Sequence, residues 1–168
     1  MRLVRMEGPM AKAYIGLGAN LGDREAGIRK ALELLRQTHA AVVKRVSRLI
    51  ETEPVGGPPG QETYLNGAAE IETYLSPCEL LDALKIIETN VGRIERERWA
   101  PREVDLDILF YEDEVVRMNI LEIPHPRLCE RGFVLKPLAE IAPDFVHPLT
   151  MMTVAQHLAA LEGRVGGP

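Results

Sequence analysis

Cysteine is scarce in this chain of 168 residues. Cys78 and Cys129 are its only two cysteines, and they form neither a CxxC pair nor a cysteine and histidine spacing typical of zinc sites. A disulfide framework is therefore not expected, and both residues are interpreted as free thiols. Aromatic residues are also few, at 5%, and Trp99 is the single tryptophan. Its position in a charged loop suggests either packing beneath that loop or a role in covering a ligand.

The chain also lacks a surplus of positive charge and any long apolar run. Its formal net charge is −5, which disfavours a nucleic-acid partner because the molecule as a whole repels a polyanion. No apolar stretch approaches the ~20 residues that cross a bilayer, and residues 1–10 lack the apolar core of a secretory signal. We therefore expect a cytoplasmic protein with no membrane or nucleic-acid partner.

Length and composition indicate one globular unit. A hydrophobic fraction of 46% and a charged fraction of 27% are ordinary for a globular protein. A chain of this length is long enough to bury a core, and no internal repeat divides it. We expect a single domain over residues 1–168, in which residues 1–10 form a poorly ordered leader.

The order of apolar patterns predicts the fold. Strands are predicted at 13–17, 42–50, 64–73 and 104–111, with a glycine-rich turn at 16–22 after the first. A helix is predicted after Asp23, and a second begins at the capping box of Ser76 and Glu79 and ends at Gly92. Further helices are predicted at 133–141 and 154–161. This order indicates an α+β, ferredoxin-like two-layer sandwich, with a mainly antiparallel sheet, helices on one face and additional C-terminal helices.

Two carboxylates lie on one face of the last predicted strand. Asp105 and Asp107 are two residues apart, so they share a face and stand roughly 6 to 7 Å apart. Such a pair can hold divalent cations that bind phosphate oxygens. A strand with one solvent-exposed face would show the same alternation, so spacing alone leaves both interpretations open.

Arginines are concentrated just before that strand. Arg93, Arg96, Arg98 and Arg102 alternate with acidic residues. Arginine binds phosphate oxygens through paired hydrogen bonds, although mixed charge is also common in solvated loops. The nearby aspartates favour the phosphate interpretation. The glycine-rich turn matches neither G-x-G-x-x-G nor a P-loop.

Five segments together resemble the 6-hydroxymethyl-7,8-dihydropterin pyrophosphokinase family. They are YIGLGANLGD at 14–23, TEPVG at 52–56, YLN at 64–66, RWAPREVDLDI at 98–108 and PHPRLCERGF at 124–133. The resemblance extends from residue 13 to about residue 148. It implies transfer of pyrophosphate from ATP to the hydroxymethyl group of the pterin, with release of AMP, in folate biosynthesis. No covalent intermediate on the protein is implied.

The resemblance also implies roles for individual residues. Asp105 and Asp107 would hold two Mg²⁺ ions, and ATP is the co-substrate. The implied ATP contacts are Arg93, Arg102, Ile108, His125, Arg131 and Glu88, of which Arg93 and Arg102 would be catalytic by neutralising the transferred phosphates. The implied pterin contacts are Thr52, Val55, Tyr64, Asn66, Trp99 and Phe133. The pterin would lie between the two aromatic rings of Tyr64 and Phe133, and Trp99 would close over the substrates.

Three residues depart from the family pattern, namely Ala19, Glu53 and Glu95. We expect slower loop closure, or a shift of phosphate contacts to Arg96 or Arg98, without loss of activity. Two other functions are left open. A two-metal phosphoesterase would use the same aspartates with an activated water, and a noncatalytic ferredoxin-like module would only bind its ligand. The sequence does not indicate an oligomeric state.

Overall fold

The computed structural model describes residues 7–53, 59–60, 62–96 and 104–165, and for 93–96 and 165 the backbone alone. In that part of the chain the strands are β1 Ala11–Ala19, β2 Ala41–Val46, β3 Ile50–Thr52, β4 Tyr64–Thr73, β5 Val104–Tyr111, β6 Val116–Arg117 and β7 Glu122–Ile123. The helices are α1 Arg24–Gln37, α2 Pro77–Arg96, a short 3₁₀ turn at Leu128–Glu130, α3 Gly132–Ile141 and α4 Val154–Val165.

The main sheet has five antiparallel strands. Its order is β2-β4-β1-β5, and β3 pairs with β4 as well. Strands β6 and β7 form a separate two-stranded ribbon. The central position of β1 places it between β4 and β5, which carry the polar residues noted in the sequence. The antiparallel α+β expectation is confirmed.

Helices cover both faces of this sheet. One core cluster joins α1 and α2 to the first face, through side chains such as Leu32 and Leu84. A second cluster joins α3 to the opposite face, through residues that include Phe110 and Leu135. A register shift between β1 and β5 leaves Leu109 as the extra residue, so that it faces the second cluster together with Phe110. The C-terminal helices therefore form the second covering layer.

Both predicted helix starts are confirmed. The Asp23 carboxylate accepts a hydrogen bond from the Ala26 N–H at 3.0 Å. At the start of α2, Glu79 accepts from the Ser76 N–H at 2.9 Å and Ser76 Oγ accepts from the Glu79 N–H at 3.3 Å. These reciprocal bonds satisfy amide groups that the first turn of a helix leaves unpaired.

The predicted end of α2 at Gly92 is wrong, because the helix continues to Arg96. A helical glycine costs only about 1 kcal/mol relative to alanine. Ile87 and Val91 are both buried in the first core cluster, so packing of the preceding turns outweighs that cost.

Two strand predictions also need correction. The strand predicted at 42–50 divides into β2 and β3 at Ser47, whose hydroxyl accepts the Ala68 N–H at 2.9 Å in place of a backbone carbonyl. The first strand is longer than predicted: it begins at Ala11 and continues to Ala19, so Gly18 of the predicted glycine-rich turn belongs to the strand. The predicted leader lies partly outside the described residues. Among those residues, Cys78 and Cys129 are free thiols, and no helix is long and apolar enough to cross a bilayer.

Candidate functional site

A cavity of about 600 Å³ opens above one end of the sheet, on the face covered by α3. Its walls come from five parts of the chain. The strands β1 and β5 contribute Gly16, Leu17, Gly18, Asp105, Asp107 and Leu109. The end of β3 and the start of β4 contribute Thr52, Glu53, Tyr64, Asn66 and Gly67. The segment leading into α3 contributes His125, Arg127 and Glu130 to Val134.

Glycines form the floor of this cavity. Gly18 pairs with Asn66 on β4 and with Asp105 on β5, and Gly16 pairs with Asp107. Because neighbouring strands lie ≈ 4.7–4.9 Å apart, Asn66 and Asp105 stand on strands roughly 10 Å from each other. Among the described residues, a Cβ added at Gly18 would meet only the Asn66 Oδ1 atom, at 3.4 Å. The central strand therefore leaves an open strip between an amide on one side and carboxylates on the other.

The two aspartates lie on one face of β5, as predicted. Asp105 and Asp107 are exposed at the cavity, whereas Val104, Leu106 and Ile108 are buried. Within the described residues, no three histidine, cysteine, aspartate or glutamate side chains form a complete metal cage. Magnesium commonly binds through one or two carboxylates together with substrate phosphates. The pair therefore suits magnesium that arrives with a nucleotide.

Glu88 approaches the same strand from α2. Its Oε1 accepts a hydrogen bond from the Leu106 N–H at 2.7 Å, at the outer edge of the sheet. Burial raises the pKa of Glu88, and the nearby charges of Asp105 and Asp107 raise it further, while the Leu106 bond acts in the opposite direction. Glu88 thus supports the strand between the two aspartates and does not line the cavity.

His125 is held by hydrogen bonds to backbone groups. Its N–H donates to the Leu109 carbonyl at 3.0 Å, and its Nδ1 accepts from the Arg127 N–H at 3.2 Å. The neutral ring therefore carries its proton on Nε2. Burial lowers the pKa of His125, the charges of Arg131 and Arg127 lower it further, and Asp107 opposes them. The neutral imidazole is favoured at neutral pH.

Polar and aromatic groups line the opposite part of the cavity. Asn66 is only 7% exposed, and its Nδ2 donates to Thr52 Oγ1 at 2.6 Å. That bond fixes the amide orientation, with Oδ1 beside Gly18. Tyr64 and Phe133 also line the cavity, and the Arg131 guanidinium lies 5.5 Å from the centre of the Phe133 ring. This part can bind a flat, polar-edged ring.

Most residues implied by the resemblance meet at this cavity. Those that line it are Thr52, Tyr64, Asn66, Asp105, Asp107, His125, Arg131 and Phe133. Ile108 is 4% exposed and packs in the helix-side core, because the alternation that brings the aspartates to the cavity turns its side chain the other way. Val55, Trp99 and Arg102 lie outside the described residues, and only the backbone of Arg93 is described. Their roles stay predictions.

Other cavity residues had not been assigned a role from the sequence. Arg127 adds a second guanidinium near His125. Because it directly follows the Pro124–Pro126 motif that contains His125, the sequence could have indicated its place in the cavity. Glu53, one of the departures from the family pattern, lines the cavity, whereas Ala19 is buried in the core. The side chain of Glu95 is not described. The effects of all three departures on rate stay predictions.

Comparison with known proteins gives a consistent result. The family model for 7,8-dihydro-6-hydroxymethylpterin-pyrophosphokinase matches residues 14–143. The 2-amino-4-hydroxy-6-hydroxymethyldihydropteridine pyrophosphokinase of Bacillus subtilis is 50% identical over 129 residues, which cover 77% of each chain. The Aquifex aeolicus protein of the same name is 44% identical over 140 residues, covering 83% of this chain and 86% of that one.

A solved structure adds support for the fold. Wild-type HPPK-DHPS from Plasmodium falciparum aligns with a TM-score of 0.73 over 96% of this chain. The chain spans 46% of that larger protein, at 15% identity. At this level of identity the likeness establishes the ferredoxin-like architecture alone.

Proposed function

The chain belongs to the 7,8-dihydro-6-hydroxymethylpterin-pyrophosphokinase family, and from this premise we propose that it transfers pyrophosphate from ATP to 6-hydroxymethyl-7,8-dihydropterin in folate biosynthesis. The enzyme is a transferase, and ATP is its co-substrate. One observation carries the assignment to this cavity: the row formed by Asn66, Gly18 and Asp105 across three adjacent strands. In this row, open space above Gly18 separates two polar groups. The Asn66 amide on one side suits the polar edge of a pterin, and the Asp105 carboxylate on the other suits a nucleotide–metal complex.

The pterin occupies the part of the cavity near β3 and β4. Its ring lies between Tyr64 and Phe133, and the amide of Asn66 hydrogen-bonds to its polar edge. The bond to Thr52 orients that amide before the ligand arrives, which lowers the cost of binding. Trp99 and Val55 keep the pterin contacts expected from the family resemblance.

The triphosphate occupies the other part. Asp105 and Asp107 would hold two Mg²⁺ ions, which when bound neutralise and orient the phosphates. Arg131 supplies guanidinium donors from the segment before α3, and the Nε2–H of neutral His125 supplies a further donor. Arg93 and Arg102 keep their expected catalytic roles in neutralising the transferred group. The nucleotide contacts expected of Glu88 and Ile108 stay predictions, because neither side chain lines this cavity.

The reaction is a single displacement. The hydroxymethyl oxygen of the pterin bonds to the β-phosphorus of ATP as the bond from that phosphorus to the α,β-bridging oxygen breaks. The electron pair leaves with AMP, the hydroxyl proton passes to solvent, and the β- and γ-phosphates end on the pterin. Since no protein nucleophile takes part, the residues act by orientation and by stabilising charge.

A direct assay separates this function from its alternatives. Purified protein is incubated with ATP and Mg²⁺, with and without 6-hydroxymethyl-7,8-dihydropterin, and nucleotides are separated by chromatography. The expected result is AMP that forms only when the pterin is present. ADP would indicate ordinary kinase chemistry, nucleotide hydrolysis without pterin would favour a phosphoesterase, and binding without turnover would favour a noncatalytic module; each would overturn the proposal. The cytoplasmic location and the absence of nucleic-acid and membrane partners stay predictions.

A further inference from the structure

Arg24 links two segments that are far apart from it in sequence. It is the first residue of α1, and its side chain is 22% exposed. Its Nη1 donates to both the carbonyl and the hydroxyl oxygen of Thr63, at 2.6 and 2.7 Å. Its Nη2 donates to Glu51 Oε1 at 2.9 Å. One guanidinium therefore joins the middle residue of β3 to the residue that precedes β4.

Both of these contacts are next to pterin-side residues of the cavity. Glu51 precedes Thr52, and Thr63 precedes Tyr64. Thr52 and Tyr64 are themselves paired across β3 and β4, and Thr52 holds the Asn66 amide. Each residue that Arg24 contacts is therefore bonded directly to a residue of this wall of the cavity.

Along β3 this wall is held by the pairing with β4 and by contacts with α3. That strand is three residues long, and within the described residues it pairs only with β4. So short a ladder supplies few backbone hydrogen bonds, and bonds to a charged guanidinium are stronger than neutral ones. The Arg24 contacts therefore add to the short ladder that fixes β3 against β4.

The position of Arg24 in its helix is also unfavourable by local rules. The first turn of a helix favours acidic residues, such as Glu25, because the helix dipole is positive there. A residue that breaks a local preference usually gains from a contact elsewhere. Here the gain is the contact with Thr63 and Glu51.

We propose that Arg24 is a positioning residue for the pterin half of the site, an inference that rests on the proposed function. It holds Thr52 and Tyr64 at a fixed separation and so keeps Asn66 in its binding orientation. Its hydrogen bonds to described residues are with Thr63 and Glu51, on the side of the sheet opposite β5, where the aspartates lie. Its loss should weaken pterin binding and leave nucleotide binding intact.

The test compares Arg24→Gln with Arg29→Gln. Arg29 lies on the same helix, is exposed, and pairs with Glu25 away from the cavity. Binding of the pterin is measured by calorimetry with Mg²⁺ and α,β-methylene ATP, and binding of that nucleotide is measured alone. For Arg24→Gln the pterin KM and Kd should rise about 10-fold to 100-fold, as expected when a charge-assisted hydrogen bond is lost. Nucleotide Kd should stay within twofold, and Arg29→Gln should match wild type throughout.

Two further measurements distinguish positioning from general loosening. Arg24→Lys should recover part of the pterin affinity, since one ammonium supplies fewer donors and cannot span both contacts as well. Amide hydrogen exchange at residues 50–52 should be faster in ligand-free Arg24→Gln than in wild type. If Arg24→Gln proves insoluble, Thr63→Val removes one contact only, and a smaller rise in pterin Kd is expected.

Three results would overturn the inference. They are unchanged pterin affinity in Arg24→Gln, equal losses of pterin and nucleotide affinity, and unchanged exchange at residues 50–52. Failure of the proposed function has a different signature, because wild-type protein would then form no pterin-dependent AMP while the exchange difference between wild type and Arg24→Gln would persist.

Discussion

Substitution of Gly18 by alanine should separate stability from activity. Gly18 lies in the interior of β1, outside the positive-φ region that favours glycine. Apart from its chain neighbours, the described part of the chain gives the new Cβ one contact within 4 Å, with Asn66 Oδ1 at 3.4 Å, which is an ordinary contact distance. Alanine also restricts the unfolded chain, which stabilises a protein by about 0.4–1 kcal/mol where the native backbone accepts it. The free energy of unfolding should therefore be unchanged or slightly higher.

Activity should change in the opposite direction. The added methyl group of Gly18→Ala would stand in the strip between Asn66 and Asp105, where the proposed arrangement brings the hydroxymethyl group to the β-phosphate. A displacement of about 1 Å between reacting groups can cost ~10²-fold in rate. We expect kcat to fall by about that factor, whereas each substrate alone should bind nearly as in wild type, since each can shift within a cavity of about 600 Å³.

The assay combines urea unfolding with AMP release at saturating substrates. Gly163→Ala is a suitable control, because Gly163 is exposed on α4 and a Cβ there meets no atom of the described residues within 4 Å. It should gain stability at wild-type activity. A wild-type kcat in Gly18→Ala would refute the placement of the reacting groups in the open strip between Asn66 and Asp105. A marked fall in its free energy of unfolding would refute the claim that the backbone of β1 accepts a methyl group at this position.

Three further results are expected. Asp107→Ala should reduce pterin-dependent AMP formation by at least about 10²-fold, while Asp113→Ala, in the turn at the far end of β5, should remain active; full activity in the first variant would contradict the metal assignment. Thr52→Val leaves the buried Nδ2 of Asn66 without its acceptor, at a cost of about 1–3 kcal/mol, so its pterin KM should rise by about tenfold or more and Thr52→Ser should retain wild-type values. The pKa of Glu88 is raised from its ordinary value of 4.5 in the folded protein. The free energy of unfolding therefore falls as the pH rises from that ordinary value through the pKa of the folded state. Glu88→Gln should therefore gain more stability, relative to wild type, at pH 8 than at pH 4 in urea unfolding, and an equal difference at both values would contradict the raised pKa.

Local patterns were sufficient to predict the residues that share a strand face. A period of two predicted that Asp105 and Asp107 face one side, and that Tyr64 and Asn66 share theirs. The helix caps at Asp23 and Ser76 could be predicted equally well, because a capping side chain bonds to a backbone N–H only a few positions away. In each case the deciding interaction lies within a short stretch of sequence.

Other features depend on contacts between distant parts of the chain. Nothing in the residues around Ser47 indicates that its hydroxyl replaces a ladder carbonyl opposite Ala68. The extension of α2 past Gly92 depends on core packing, which outweighs helix propensity. The contact of Arg24 with Thr63 spans 39 positions, so it could be found only in the folded chain.

The phosphate content of the pterin product tests the central claim most directly. Mass spectrometry of the product from ATP, Mg²⁺ and 6-hydroxymethyl-7,8-dihydropterin counts its phosphates, and chromatography of the same mixture identifies the nucleotide released. The expected result is a pterin diphosphate formed in equal amount with AMP. A pterin monophosphate with ADP, or unmodified pterin beside hydrolysed ATP, would contradict the transfer of pyrophosphate.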